Sequence, residues 1–322
     1  MVKATIDPAV TVLMAVYDPP LGMLSQAIDS VLSQTFADFE FLIVDDGSSA
    51  PGVRTFLARR ARADVRIRIL WEPHRGLTAS LNRGLAVSKG AFIARHDADD
   101  WSAPARLDRQ LEWFRAHPDT TVLGSDAWTH QQDGVPLWRL HLPATHAEIL
   151  SALPLGNPFV HGSVMFRRSA AAAAGGYRTQ FHCSQDYDFF WRLTEQGRAA
   201  NIGEALYHYR FTSTSVSAAR AEEQAVAHLA IRLLGAARER GEGEDVRRTA
   251  VEAEAGIRSA AEISRTLLKQ ADHLMLAGDY RGARSAYCQL IRSHPDNPLA
   301  WAKLARLGLF RTFPRLREAC FR

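Results

Sequence analysis

A chain of 322 residues, 47% hydrophobic and 23% charged, has the length for one large domain plus a smaller one and the composition of a soluble globular protein. Its three cysteines, Cys183, Cys288 and Cys320, are odd in number, far apart and without a CxxC pair, which argues against a disulfide framework or a thiolate zinc site and fits a reducing compartment. The net charge of +4 is local: residues 304–322 hold five arginines against one glutamate and residues 1–303 balance to zero, so the pI of about 9.1 is no nucleic-acid footprint.

The first residues, MVKATIDPAVTVLMAVYDPP, lack the basic start and long apolar stretch of a signal peptide. No run approaches the ~18 apolar residues of a membrane span. The expected location is cytoplasmic.

The N-terminal third alternates β-branched runs with helical patterns. Strands are expected at 10–17, 39–46, 65–70 and 91–97, and helices at 21–34, 53–62 and 77–90. Such alternation implies βαβ units and a parallel sheet, with ligands bound at the carboxyl ends of the strands. Three of the four strands end in polar residues: Tyr17-Asp18, Asp45-Asp46-Gly47-Ser48, and His96-Asp97-Ala98-Asp99-Asp100. Like charges set so close repel, so something positive is expected beside the last cluster. After Trp101 a helix is expected with Ser102 as N-cap and Pro104 in its first turn.

From 121 to about 217 the pattern is mixed, with short strands at TVLG, PLWRLHL, GSVMFRR and ALYHYRF and helices at 145–153 and 185–196. From about 218 strands disappear, and ERGEGED (239–245) is a polar break. Within 264–297, Gly278, Tyr280, Ala283, Tyr287 and Pro295 have the spacing of one tetratricopeptide-type helix-turn-helix, which Trp301, Leu304 and Ala305 restart. A plain helical bundle and a peptide-binding module both fit this stretch. The expected division is therefore 1–217 and 218–322.

Asp45 ends one strand, and Asp97 with Asp99 ends another, on one rim of a parallel sheet. Carboxylates separated by one residue can turn oxygens toward one hard divalent cation, and Mg²⁺ or Mn²⁺ keeps positions open for substrate phosphates. Arg95 and Arg75 would add positive charge near such phosphates.

Four stretches, TVLMAVYDP, SVLSQTFADFEFLIVDDGSS, GLTASLNRGLAVSKGAFIARHDADDWSAPARLDRQ and GGYRTQFHCSQDYDFFWRL, resemble in order and spacing the family 2 inverting glycosyltransferases of the GT-A fold, over roughly residues 8 to 217. The resemblance implies an α/β, Rossmann-like nucleotide-sugar-binding domain with a mixed central sheet, followed here by an all-α region. It implies that Tyr17 and Asp45 contact the nucleotide base, Asp97 the ribose or the metal shell, and Asp99 a Mn²⁺ or Mg²⁺ ion bridging the diphosphate. Asp18, Asn82, Arg95 and Arg210 join the donor-binding set. Asp186 matches the general base, which takes the proton of the acceptor hydroxyl.

The bland alternative for Asp186 is a favourable charge at a helix N-terminus, with Asp188 as its internal control. Gln185 departs from the family's glutamate and removes a neighbouring charge. His161 stands where the family often has histidine, and a purely structural histidine fits equally. Thr212 stands where histidine is usual in the closing YHYRFTSTSVS segment, with Arg210 kept. The Gln-x-x-Arg-Trp signature of processive members is missing, which implies transfer of one or a few sugars.

The implied activity is transfer from a nucleotide sugar, UDP-linked by preference, to a hydroxyl on a glycan or lipid-linked saccharide, as in cell-envelope polysaccharide biosynthesis. A sugar-1-phosphate nucleotidyltransferase is the second reading, but YDPPLGM is not the glycine-rich basic loop it needs. An inactive GT-A platform for the C-terminal helices is the third, and Asp45, Asp97, Asp99 and Asp186 standing together speak against it. Phe310, Phe313 and Phe321 with the arginines of 306–322 are candidates for peripheral contact with an anionic membrane surface; an ordinary helix end fits equally.

Overall fold

The computed structural model describes residues 7–213, 220–257, 260–293 and 297–312. The boundary expected at 217/218, Pro295, Cys320 and all but the first seven residues of the 306–322 tail lie outside them. By contacts the chain divides into two units, Met1–Ala127 with Leu140–Tyr209, and Trp128–Arg139 with Arg210–Arg322.

The first unit begins with the expected alternation: β1 (Val10–Val16), α1 (Leu21–Leu32), β2 (Phe39–Asp46), α2 (Val53–Ala63), β3 (Ile67–Glu72), α3 (Leu77–Val87) and β4 (Phe92–His96). β3, β2, β1 and β4 are neighbours in that order and all parallel. All eight positions of β2 are buried, as in a strand covered on both faces. Its one charged residue before the acidic end, Glu40, accepts from the Thr11 hydroxyl (2.6 Å) and Arg68 (2.9 Å). β3 starts two residues later than expected: Val65 is fully exposed, and pairing with β2 begins at Ile67.

Beyond β4 the sheet turns antiparallel, through β8 (Met165–Arg167), β6 (Thr120–His130), β9 (Arg198–Arg210) and the two-residue β5 (Trp101–Ser102), while β7 (Pro136–Leu140) pairs with β6. This is the mixed sheet that the sequence implies. α4 (Arg106–Ala116) corrects one expectation: its N-cap is Ala105, and Ser102 lies in β5. Gln34 takes the capping role by accepting the Leu107 N–H (3.0 Å), while the Ser102 hydroxyl accepts from Arg106 (3.0 Å). α5 (His146–Ala152) carries a full capping box from Thr145 and Glu148. α6 (Arg168–Ala173) and α7 (Gln185–Thr194) complete the unit's helices among the described residues.

Among its described residues the second unit contains the turn between β6 and β7 and five helices: α8 (Ala221–Glu239), α9 (Val246–Ile257), α10 (Ala260–Leu276), α11 (Tyr280–Ser293) and α12 (Pro298–Thr312). The polar break 239–245 separates α8 from α9. Ala271, Ala283, Ala286, Tyr287 and Leu307 form one small core and Leu267, Leu290, Ile291 and Ala300 another, so the repeat buries its face on α12 as well as on itself. Gly278 turns the α10–α11 corner at φ +83°.

Candidate active site

Strand register fixes what gathers at the rim. Val16 lies beside Asp45, and Met14 beside His96, so Tyr17, Asp45 and Asp97 leave the sheet from three adjacent strands. Successive strand side chains alternate, and Asp45 and Asp46 accordingly have different fates. Asp46 organises the loop after β3, accepting the N–H groups of Arg75 and Gly76 (both 2.9 Å) and the Ser80 hydroxyl (2.8 Å), with His74 Nδ1 at 2.9 Å. Asp45 is fully buried; Oδ1 accepts only a long bond from the Ser48 N–H (3.3 Å), and Oδ2 has no hydrogen-bond partner, with Arg54 Nε at 3.5 Å. Such an oxygen is costly to leave unmet, and it can accept an incoming N–H donor.

Beside it Tyr17, 51% exposed, stacks on His74 with ring centroids 4.0 Å apart, giving the rim a flat aromatic surface. Asp18, at φ +47°, accepts the N–H groups of Ala50 (2.7 Å) and Ser49 (2.8 Å) and the Ser49 hydroxyl (3.1 Å). Those bonds, Ala50's foremost, hold its carboxyl below the usual range. Its oxygens are thus committed to the 49–50 loop.

The positive charge expected beside the acidic cluster is inside the protein. Arg95 is 1% exposed and donates from Nη2 to Asp97 Oδ1 (2.5 Å), while its Nε and Nη1 have no hydrogen-bond partner. Burial works against its charge, but Asp97, Tyr177 and Tyr207 outweigh burial and raise its affinity for the proton. Burial likewise favours neutral Asp97, and Arg95 outweighs it, holding the carboxyl below the usual range. Asp97 N–H donates to the Tyr207 hydroxyl (3.1 Å). That hydroxyl also explains Gly162, where a Cβ would sit 2.0 Å from it.

Arg106, also buried, donates to the carbonyls of Arg95 (2.8 Å) and Val164 (3.3 Å), and burial lowers it to about 10. Burial and Arg106 push His96 down to about 3, so it is neutral, its Nδ1–H donating to the Asp97 carbonyl (2.7 Å). The Tyr209 hydroxyl is kept protonated by burial and by Asp100, Asp99, Asp97 and Asp186.

The helix that carries Asp186, α7, is entered through Ser184 at φ +57°. Asp188 is wholly buried between Arg178 (3.2 Å) and Arg192 (2.6 Å). Asp186 is half-buried and accepts from Asn157 Nδ2 (2.8 Å). His161 Nε2 lies 3.3 Å from the Tyr177 hydroxyl. Burial and Arg95 push His161 down to about 4, against the pull of Asp186 and Asp97. Burial raises Tyr177, and the same two carboxylates add to that. Two side chains that respond to both Asp97 and Asp186 put both carboxylates in one neighbourhood.

Asn82 is a strut: its amide bonds the Tyr177 carbonyl (2.7 Å) and N–H (2.9 Å). Arg75 contributes its backbone N–H to the Asp46 bond. Arg210 and Thr212 fall in the second unit, both buried, and the Thr212 carbonyl accepts from His273 (3.0 Å).

Among the described residues no three or more His, Cys, Asp or Glu side chains form a ready-made metal cage. Mg²⁺ and Mn²⁺ sites take one or two carboxylates plus substrate phosphates, and the Asp97/Asp99 pair fits that donor set. Asn157, Tyr177, Tyr207, Tyr209 and Arg106 escape sequence reasoning, because their roles come from packing; all but Asn157 stand inside the quoted stretches, yet nothing local marks them out. Among the described residues no helix is long and apolar enough to cross a membrane.

Comparison with known proteins bears on the fold and the family. Residues 264–307 match the Tetratricopeptide repeat family. The Escherichia coli O-antigen biosynthesis glycosyltransferase WbnJ is 31% identical over 211 residues, 64% of this chain and 81% of that one. Two solved structures share the fold: the mannosyltransferase PcManGT from Pyrobaculum calidifontis in complex with GDP-Man and Mn²⁺ (TM-score 0.55, 19% identity, 98% of this chain and 84% of that one), and S. aureus TarS 1–349 in complex with UDP-GlcNAc (TM-score 0.60, 14% identity, 92% and 88%). Residues 11–175, half of the chain, match the family described as Glycosyl transferase family 2, and the chain belongs to that family of glycosyltransferases.

Proposed function

We propose that this glycosyltransferase is metal-dependent, inverting and non-processive, and that it moves a sugar from a UDP-sugar to a hydroxyl on a glycan or lipid-linked saccharide. The observation that carries this is the shared neighbourhood of Asp97 and Asp186, flanked by His161 and Tyr177, with the control residue Asp188 consumed by two arginines. Asp45, through its unmet Oδ2, receives an N–H of the base, and Tyr17 on His74 offers the base a flat face. Asp97 and Asp99 would hold Mn²⁺ or Mg²⁺, which when bound would supply Lewis-acid neutralisation of the departing diphosphate. Arg95 holds Asp97 in place from behind.

Asp186 takes the proton of the acceptor hydroxyl as that oxygen bonds the anomeric carbon from the face opposite the leaving group. The carbon–oxygen bond to the diphosphate breaks, and the leaving oxygen keeps the electron pair. Support for the donor comes from the GDP-Man and UDP-GlcNAc of the two fold neighbours, and for the acceptor from the O-antigen role in WbnJ's name. We assign the chemistry to residues 1–217 and treat 218–322 as a separate helical extension. The test is release of nucleoside diphosphate from UDP-glucose, UDP-GlcNAc and GDP-mannose with Mn²⁺ or Mg²⁺. Release that persists unchanged in EDTA would remove the metal from this proposal, and a product of retained anomeric configuration would remove inversion.

A further inference from the structure

We infer that Asn157 is the positioning residue of Asp186, selecting which carboxylate oxygen meets the acceptor. This rests on Asp186 being the base. Asn157 lies 29 residues before Asp186 in the chain, and its side chain is fixed at both ends. Its Oδ1 accepts the N–H of Phe159 (3.2 Å), two residues on, the local turn that asparagine favours. The NH₂ group then has one direction left, and it donates to Asp186 Oδ2 at 2.8 Å. The reversed amide would set its oxygen against a carboxylate oxygen and lose both bonds. With Oδ2 held, Oδ1 is the oxygen presented for proton transfer.

The bond also brings no charge of its own to Asp186, because an amide donor is neutral. Gln185, buried next in sequence, brings no negative charge to Asp186. An amide donor therefore supports this base without any neighbouring carboxylate.

Two substitutions separate this role from upkeep of the loop. Asn157→Ser keeps a hydroxyl able to accept the Phe159 N–H but is too short to reach Asp186. Asn157→Asp keeps the loop bond and replaces the donor by a second carboxylate. The assay is Mn²⁺-dependent release of UDP or GDP by the full chain from UDP-GlcNAc, UDP-glucose and GDP-mannose, water serving as acceptor, followed on the substrate that wild type cleaves fastest.

Asn157→Ser is expected to lower kcat about 10- to 100-fold, with KM for the nucleotide sugar within about twofold because only a late interaction is lost. Asn157→Asp is expected to lower it further and to move the acid limb of kcat/KM up by about one pH unit. Wild-type kcat and pH profile in both variants, while Asp186→Asn is inactive, would overturn the role of Asn157 and leave the base standing. Full activity in Asp186→Asn would overturn the base itself, and no diphosphate release by wild type from any of the three sugars would overturn the transferase proposal beneath both. If Asn157→Asp unfolds, the kcat of Asn157→Ser, with an unchanged thermal midpoint, decides alone.

Discussion

Two acidic pairs with the same spacing, Asp97 with Asp99 and Asp186 with Asp188, are treated differently by the fold. In α7 the pair straddles the helix, because residues two apart point to opposite sides. Asp188 turns inward, where Arg178 and Arg192 meet it at full burial, and Asp186 turns outward to a neutral amide. At the end of β4 the inner carboxylate, Asp97, meets one buried arginine and keeps 27% of its side chain exposed. Two cations on a carboxylate with no exposure make a core ion pair; one cation and an open side make a carboxylate that is anchored and still able to bind. Spacing alone does not separate these outcomes. The arginines set beside each pair do, one two residues from Asp97 and two within ten residues of Asp188.

The comparison breaks most sharply at α7. Asp186→Asn is expected to lower turnover about 10²- to 10⁴-fold, while calorimetry with UDP and Mn²⁺ shows nearly wild-type affinity; weakened nucleotide binding of the same size would mean that Asp186 serves the donor instead. Asp188→Asn should leave donor binding alone in the folded fraction but take the carboxylate away from the buried Arg192 and the half-buried Arg178, lowering stability by about 3–5 kcal/mol, read from urea unfolding. A change under 1 kcal/mol would show that Asp188 is not the ion-pair hub its contacts describe. At the strand end, Asp99→Ala should weaken Mn²⁺-dependent UDP binding at least about tenfold, the scale on which metal sites respond to loss of their supporting groups. Indifference to Mn²⁺ in wild type and variant alike would take the ion away from this turn.

Much of this site is legible in the sequence, for a reason of geometry. A parallel sheet delivers its strand ends to one rim whatever the details, so Tyr17, Asp45 and Asp97 can be grouped before any coordinates exist. Helix and strand positions follow from period, and most boundaries shift by only a few residues. What pattern cannot reveal is which polar atoms are already spent. Asp18, Asn82 and Asp46 are all polar rim candidates like Asp45, yet their bonds go to the 49–50 loop, to Tyr177 and to the 74–80 loop, whereas Asp45 keeps an oxygen unmet. The expected capping by Ser102 failed for a similar reason: Gln34, some seventy residues away in sequence, reaches the helix start first. Long-range partners are a property of packing, and no local window contains them.

His161 gives the smallest expected effect and the finest test of whether the two carboxylates share a neighbourhood. Its proton affinity falls from an ordinary 6.5 to about 4 in the folded chain, because burial and Arg95 disfavour the imidazolium more than Asp186 and Asp97 favour it. Between those values the unfolded chain binds more protons than the folded one, so stability rises with pH across the window and is lost as pH falls from 6.5 toward 4. By pH 5 the loss attributable to this one side chain is about 2 kcal/mol. Urea unfolding at pH 7 and pH 5 should therefore show a smaller acid loss in His161→Gln than in wild type. Asp186→Asn should show a slightly larger one, since it removes one of the two charges that ease protonation. If His161→Gln leaves the acid loss unchanged, the imidazole is not held neutral beside the two carboxylates, and the shared neighbourhood loses its witness.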